Sequence, residues 1–160
     1  MRWIWIDKFI EFESGKRAVA VKNVTLAEEH LHDHFPGYPV MPASLMIEAM
    51  AQTSGILVGE ARDFKEKVIL AKVSKAVFHD LVVPGDQLRL EAQIENITEA
   101  AATITGQIRR QDQVIADISL IFSHIDKNMA GEEFPEENFV FTEQFMNLLD
   151  IYQASKITST

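Results

Sequence analysis

The stretch HFPGYPVMPASLMIEAMAQTSG, residues 34–55, decides the fold. It joins two segments with opposite backbone requirements. From His34 to Pro42 the chain carries Pro36, Pro39 and Pro42. Proline fixes its own φ and biases the residue before it away from helix, so this part reads as an extended, stiff, non-helical loop. From Pro42 to about Gly59 the texture reverses. Pro42 suits the first turn of a helix. Leu45, Met46, Ile47, Ala49, Met50 and Ala51, followed by Ile56, Leu57 and Val58, leave almost no side of that helix polar. A helix apolar all round lies in a membrane or is wrapped by its own protein. Glu48 and Gln52 make the membrane costly, so the helix reads as buried. Ser44, Glu48, Gln52, Gly55 and Gly59 recur at steps of three and four and form one narrow polar stripe along it.

Working outward, Trp3 to Glu13 reads as a strand, Ser14-Gly15-Lys16 as a turn, and Arg17 to Val24 as a second strand, which makes a hairpin. Leu26 to Asp33 is polar and His-rich. Beyond the helix, strands are expected over Val68–His79, Leu88–Ile97, Ala101–Arg110 and Val114–Ile125, with turns at Val83–Asp86 and Gln111–Gln113. A sheet covering a helix that is apolar on all sides must curl around it or share the task with a second subunit. The fold class is therefore α+β, with one central helix and an antiparallel sheet. Residues 1–125 form this domain. Residues 126–160 differ: seven acids and two bases give them a net −5, against −4 for the rest. Their first part, through Asn138, is loop-like. Phe141, Phe145, Leu148, Leu149 and Tyr152 then share a helical face, with Thr142 as its cap. The plain expectation is a short amphipathic helix docked on its own domain; the alternative is a contact with a partner.

Composition narrows the function. A chain of 160 residues holds one core, and 47% hydrophobic with 24% charged residues excludes a disordered or low-complexity chain. The absence of cysteine excludes disulfide scaffolds, thiolate metal sites and cysteine nucleophiles. A net charge of −9 argues against nucleic-acid binding. Asp7 and Lys8 interrupt the apolar start too early for a signal peptide, and no apolar run approaches the ~18 residues of a membrane span. The expectation is a soluble, cytoplasmic, single-domain protein.

Two residues stand out chemically. A buried carboxylate is costly unless it is hydrogen-bonded or protonated. Glu48 on the helix and His34 before the loop are complementary as acid and base. The N–H groups of residues 43–45, at the helix start, suit an oxygen gaining negative charge. Spacing alone leaves structural roles open: a His capping a loop, or a Glu in an interface ion pair. His30, His32 and His34 alternate and would share one side of an extended segment, which raises a metal site as a lesser possibility. His79 and His124 read as ordinary surface or sheet residues.

Residues 34–55 closely resemble the signature of the (3R)-3-hydroxyacyl-[acyl-carrier-protein] dehydratases, the hotdog-fold enzymes of fatty-acid elongation. That pattern runs H-F-P-G-x-P-x-M-P-G, then a helix with Glu fourteen residues after the His, the separation of His34 and Glu48. GKRAVAVKNVT at 15–25 and VVPGDQLRLE at 82–91 extend the resemblance over roughly residues 9 to 124. It implies a curled antiparallel sheet around one long helix. His34 would remove the α-proton of the 3-hydroxyacyl thioester, and Glu48 would protonate the departing hydroxyl. The Ala43 N–H would hold the thioester carbonyl, with Gly37, Pro42, Ser44 and Gln52 in support. Neither a metal nor an organic cofactor is implied. The His of one subunit would meet the Glu of another, in a homodimer or a trimer of dimers. The chain departs from the family in Ala43 and Ser44, which stand where Gly and an aliphatic residue are usual. It also departs ahead of the first strand, which lacks a Pro-His-Arg-Tyr-Pro-Phe pattern, and in its acidic C-terminal extension. Met41, Met46 and Met50 would line the acyl tunnel or the core.

Acyl carrier protein, the partner implied, is acidic, so a protein of net −9 needs a local basic patch to receive it. Arg62, Lys65, Lys67, Lys72 and Lys75 are the expected docking residues, with Arg109 and Arg110 as a second candidate and a solvated charged loop as the plain alternative. Competing readings are an enoyl-CoA hydratase or thioesterase of the same fold, or a non-catalytic acyl-binding or assembly subunit.

Overall fold

The computed structural model describes residues 3–128 and 131–158. Met129 and Ala130, inside the expected loop, lie outside the described residues. The elements in order are β1 (Lys8–Glu13), β2 (Arg17–Asn23), α1 (His30–Asp33), α2 (Ala43–Glu60), β3 (Val68–Phe78), β4 (Gln87–Ile97), β5 (Ala101–Arg110), β6 (Gln113–His124), α3 (Ile125–Asn128) and α4 (Glu143–Ile157). One antiparallel sheet of six strands runs β1-β2-β4-β5-β6-β3. It wraps α2, which packs against β2, β3, β4, β5 and β6. Among the described residues no helix is long and apolar enough to cross a membrane.

The wrapping follows from alternation. Leu88, Leu90 and Ala92 on β4, Ala102, Ile104 and Ile108 on β5, and Ala116, Ile118, Leu120 and Phe122 on β6 all turn inward and are buried. Opposite them α2 buries Met46, Ala49, Met50, Ile56, Leu57 and Val58. Thr53 and Ser54 are also buried, and each hydroxyl donates to the carbonyl one turn earlier, Ala49 O at 2.9 Å and Met50 O at 2.7 Å. That local bond lets two polar residues face the core at little cost.

Several expected boundaries move, each for a visible reason. The first strand begins at Lys8, not Trp3, because Trp3–Ile6 leaves the sheet and crosses α2. There the Trp5 N–H donates to Gln52 Oε1 at 2.8 Å. The segment 26–33 closes into the short helix α1. The loop expected to be extended instead makes a tight turn, in which Phe35 and Tyr38 exchange N–H···O bonds of 2.9 and 2.8 Å. Gly37 sits there at φ +74°, a conformation other residues rarely adopt. Pro42 stands one position outside α2, as its N-cap, and its carbonyl accepts from Leu45 N and Met46 N. Thr142 precedes α4 as expected, but through its carbonyl and without a side-chain cap. The apolar side of α4 packs on the domain: Leu149 is buried and Tyr152 meets Phe12 on β1.

Helix and sheet approach closely at Gly106 on β5, where an added Cβ would lie 2.6 Å from Met50 Sδ. Met50 is wholly enclosed and cannot swing into solvent. Gly106→Ala is therefore expected to cost about 1–3 kcal/mol through overpacking, read as a lower urea midpoint with an unchanged slope.

Candidate active site

Glu48 is half-buried on α2, one turn before Gln52. Its Oε1 accepts two hydrogen bonds, from Gln52 Nε2 at 2.9 Å and from the indole N–H of Trp3 at 2.8 Å. Gln52 is held in turn: Nε2 also donates to Trp3 O at 3.2 Å, and Oε1 accepts the Trp5 N–H. With Oε1 committed as an acceptor, Oε2 is the carboxyl oxygen left available.

His34 is partly buried and stacks on Phe35, with ring centroids 4.1 Å apart. Its Nδ1 lies 2.8 Å from the carbonyl oxygen of Val40. A carbonyl only accepts, so Nδ1 carries the hydrogen of this bond, and Nε2 is the ring nitrogen left available to a substrate. The Val40 N–H returns a bond of 2.9 Å to His34 O, which closes the turn around Gly37. Ala43 and Ser44 begin α2 and are exposed, and no side chain caps the helix. Their N–H groups are among those an α-helix leaves without intrahelical partners.

The predicted residues thus assemble into two clusters. Glu48 and Gln52 form one, together with Trp3. His34, Gly37 and Pro42 belong to the turn that leads to Ala43 and Ser44. Among the described residues no hydrogen bond or ion pair joins His34 to Glu48. Trp3 was not foreseen: it meets Glu48 across 45 residues, and no local pattern in the sequence signals that contact. The three alternating histidines do not converge, because α1 turns His32 outward to solvent, away from His30 and His34 one helical turn apart. His30 packs edge-on against Trp5, and its pKa is held below the ordinary range, chiefly by burial. Among the described residues no group of side chains is arranged to hold a metal ion. His124 ends β6, a sheet residue as one reading had it, and is fully buried against Glu99 O and Glu66, which corrects the surface reading.

A cavity of about 290 Å³ opens beside Glu48. It runs along the stripe through Gln52 and Gly55, with Leu70 and Phe122 on the sheet side, and is lined mostly by carbon.

The expected basic patch loses one member. Lys67 is buried and paired with Asp126 at 3.1 Å, which removes it from any docking face. Arg62 donates to Thr98 O, Lys65 sits by Asp63, and Lys75 lies near Asp117. Lys72 is exposed on β3. In the second candidate, Arg110 is held by Asp80 and Asp86 and Arg109 lies by Glu91, so these charges are largely spent within the fold.

Comparison with known proteins adds to this geometry. The FabA-like domain family matches residues 3–123. The chain is 40% identical over 121 residues to the 3-hydroxyacyl-[acyl-carrier-protein] dehydratase FabZ of Caldanaerobacter subterraneus subsp. tengcongensis, covering 75% of this chain and 86% of that protein. It is 38% identical over 125 residues to the FabZ of Listeria monocytogenes, covering 78% and 87%. Among solved structures, the dehydratase heterocomplex ApeI:P of Xenorhabdus doucetiae superposes with a TM-score of 0.64 at 16% identity, over 79% of this chain and 86% of that one. The fold is the hotdog fold.

The Gln52 network separates stability from chemistry. Gln52→Leu leaves the buried Trp5 N–H without an acceptor and is expected to cost about 1–3 kcal/mol. Glu48→Gln keeps an oxygen for Trp3 and Gln52, so its denaturation midpoint is expected to stay near that of the parent protein. Urea titration of both variants checks the contrast.

Proposed function

The chain belongs to the FabA-like family of 3-hydroxyacyl-[acyl-carrier-protein] dehydratases, and from that membership we propose that it is a hydro-lyase converting (3R)-3-hydroxyacyl thioesters on acyl carrier protein into trans-2-enoyl thioesters. Its setting is fatty-acid biosynthesis, in the cytoplasm. The observation that carries the reading is the matched arrangement of the two side chains: His34 has Nδ1 committed to Val40 O and Nε2 available, and Glu48, beside an apolar cavity, has Oε1 committed to Trp3 and Gln52 and Oε2 available.

In this reading His34 Nε2 takes the proton from C2 of the substrate. The thioester oxygen gains charge as it does so, and the Ala43 N–H at the start of α2 receives it, with Ser44 beside it. Glu48 Oε2 gives its proton to the 3-hydroxyl, the C–O bond breaks, water leaves, and the C2–C3 double bond forms. His34 ends protonated and Glu48 ionised, and a proton passed back through water resets both. Gln52 and Trp3 hold the carboxyl so that its free oxygen stays aimed.

A homodimer, or a trimer of such dimers, completes the reading by bringing His34 of one copy to Glu48 of the other. Support comes from β3, which among the described residues pairs only with β6 and leaves its outer edge open. Residues 71–77 are exposed throughout, Val73 and Val77 included, and an open, partly apolar edge is the surface a second copy of the same strand covers.

His34→Ala and Glu48→Ala are each expected to lower kcat at least about 100-fold, the low end for losing a positioned acid or base. Mixed and refolded together, they are expected to regain about a quarter of the parent rate, because half the dimers then carry one intact site. No recovery would overturn the shared site, and a full rate in either single variant would overturn the assignment.

For the carrier protein, the proposed docking residues are Arg62, Lys65, Lys72 and Lys75. Reversing the charge at Lys65 and Lys72 is expected to slow turnover of carrier-protein substrates much more than turnover of small thioester analogues. Equal losses would count against this surface.

A further inference from the structure

The cavity beside Glu48 has an end, and the end comes from outside the family match, which stops at residue 123. Along α2 the stripe residues Glu48, Gln52 and Gly55 form a channel floor. Gly55 leaves room for the Phe122 ring, since an added Cβ would stand 3.6 Å from it. At Gly59 the channel stops. The ring of Phe141 rests so closely on that glycine that an added Cβ would lie 2.3 Å from its Cζ. Phe141 also meets Phe64 edge-on, with centroids 5.0 Å apart. Asn138 fixes the approach: its amide donates to Phe64 O at 3.0 Å and to Glu66 O at 3.4 Å, while its oxygen accepts from Val140 N and Phe141 N at 3.1 and 3.2 Å. Val140 and Phe145 complete the wall.

We propose that the C-terminal segment sets the acyl length accepted at this site, with Phe141, seated on Gly59 and held by Asn138, as the end wall. The proposal rests on the dehydratase reading. An acyl tail whose C3 lies at Glu48 has to continue through uncharged surroundings, and the channel along Gly55 and Ile56 supplies them. At 1.5 Å of rise per residue, Gly59 stands about 16 Å beyond Glu48 along the helix. Carbon chains with bonds near 1.5 Å advance about 1.3 Å per carbon when extended, so the wall falls about twelve carbons along the tail. Up to the wall each buried methylene raises kcat/KM by up to about fourfold. Past it the tail must fold back or displace a packed ring.

The experiment is a series of saturated 3-hydroxyacyl thioesters, from short chains to well past that length, with the full-length protein, Phe141→Ala and Asn138→Ala. Asn138→Ala loosens the wall without altering a lining side chain. For the parent, kcat/KM is expected to climb with length and then break. In both variants the ratio of long-chain to short-chain kcat/KM is expected to rise at least about tenfold, the discrimination of one or two methylenes at a rigid wall. In parallel, binding of unreactive fatty acids of the same lengths is followed by the fluorescence of Trp3 and Trp5, which distinguishes the two claims. A moved binding break without turnover in any protein would keep the wall and overturn the dehydratase reading. An unmoved break in both variants would overturn the wall, whatever the turnover.

Discussion

The structure depends on the burial of α2, a helix that meets sheet on most of its sides and leaves only a narrow stripe for polar atoms. Gln52 is where that stripe is secured. Its amide accepts from the Trp5 N–H and donates both to Trp3 O and to Glu48 Oε1, so one buried side chain ties the chain's first described residues to the helix and to the candidate acid. A lost partner in such a place costs more than a made bond contributes, because the orphaned group stays out of water. The carboxyl of Glu48 therefore has one oxygen fixed by the same interaction that closes the N-terminal side of the core.

Much of this was legible in the sequence, and the limits have physical causes. The proline-rich run and the apolar helix after it, residues 34–59, give opposite backbone signals that no single element satisfies, so the boundary could fall only near Pro42. β5 and β6 alternate cleanly because one face meets α2 and the other meets solvent. Trp3–Ile6 alternates like a strand as well, but tertiary contacts with Gln52 draw it off the sheet, and alternation cannot distinguish the two. Lys67 looked like surface because lysine is rarely buried. Its partner Asp126 lies 59 residues away, beyond the reach of local pattern. The histidines of 30–34 read as one side of an extended segment, and the turn of α1 takes His32 away from the other two.

The glycines of the stripe show the same reasoning from the other side. Gly55 and Gly59 weaken a helix by roughly 1 kcal/mol each relative to alanine, and nothing in the local pattern calls for them. In the structure both stand beneath aromatic rings, Phe122 and Phe141. Their absent side chains are what allow the channel from Glu48 to exist and then to close. One ring belongs to the sheet that the family shares; the other belongs to the acidic extension. The extension is thus part of the channel's geometry, an arrangement that a division at residue 125 would separate.

Charge completes the argument. The protein is strongly acidic, and several of its basic groups are matched internally: Lys22 with Glu28, Lys67 with Asp126, and Arg110 with Asp80 and Asp86. The Leu81 N–H and Arg110 hold the Asp80 carboxyl below its usual pKa range, so Asp80 remains charged under ordinary conditions. An acidic carrier protein approaching such a surface meets net repulsion at long range, which salt screens over about 8–10 Å. Recognition must then come at short range, from lysines such as Lys72 that keep their charge exposed, and from the acyl chain itself.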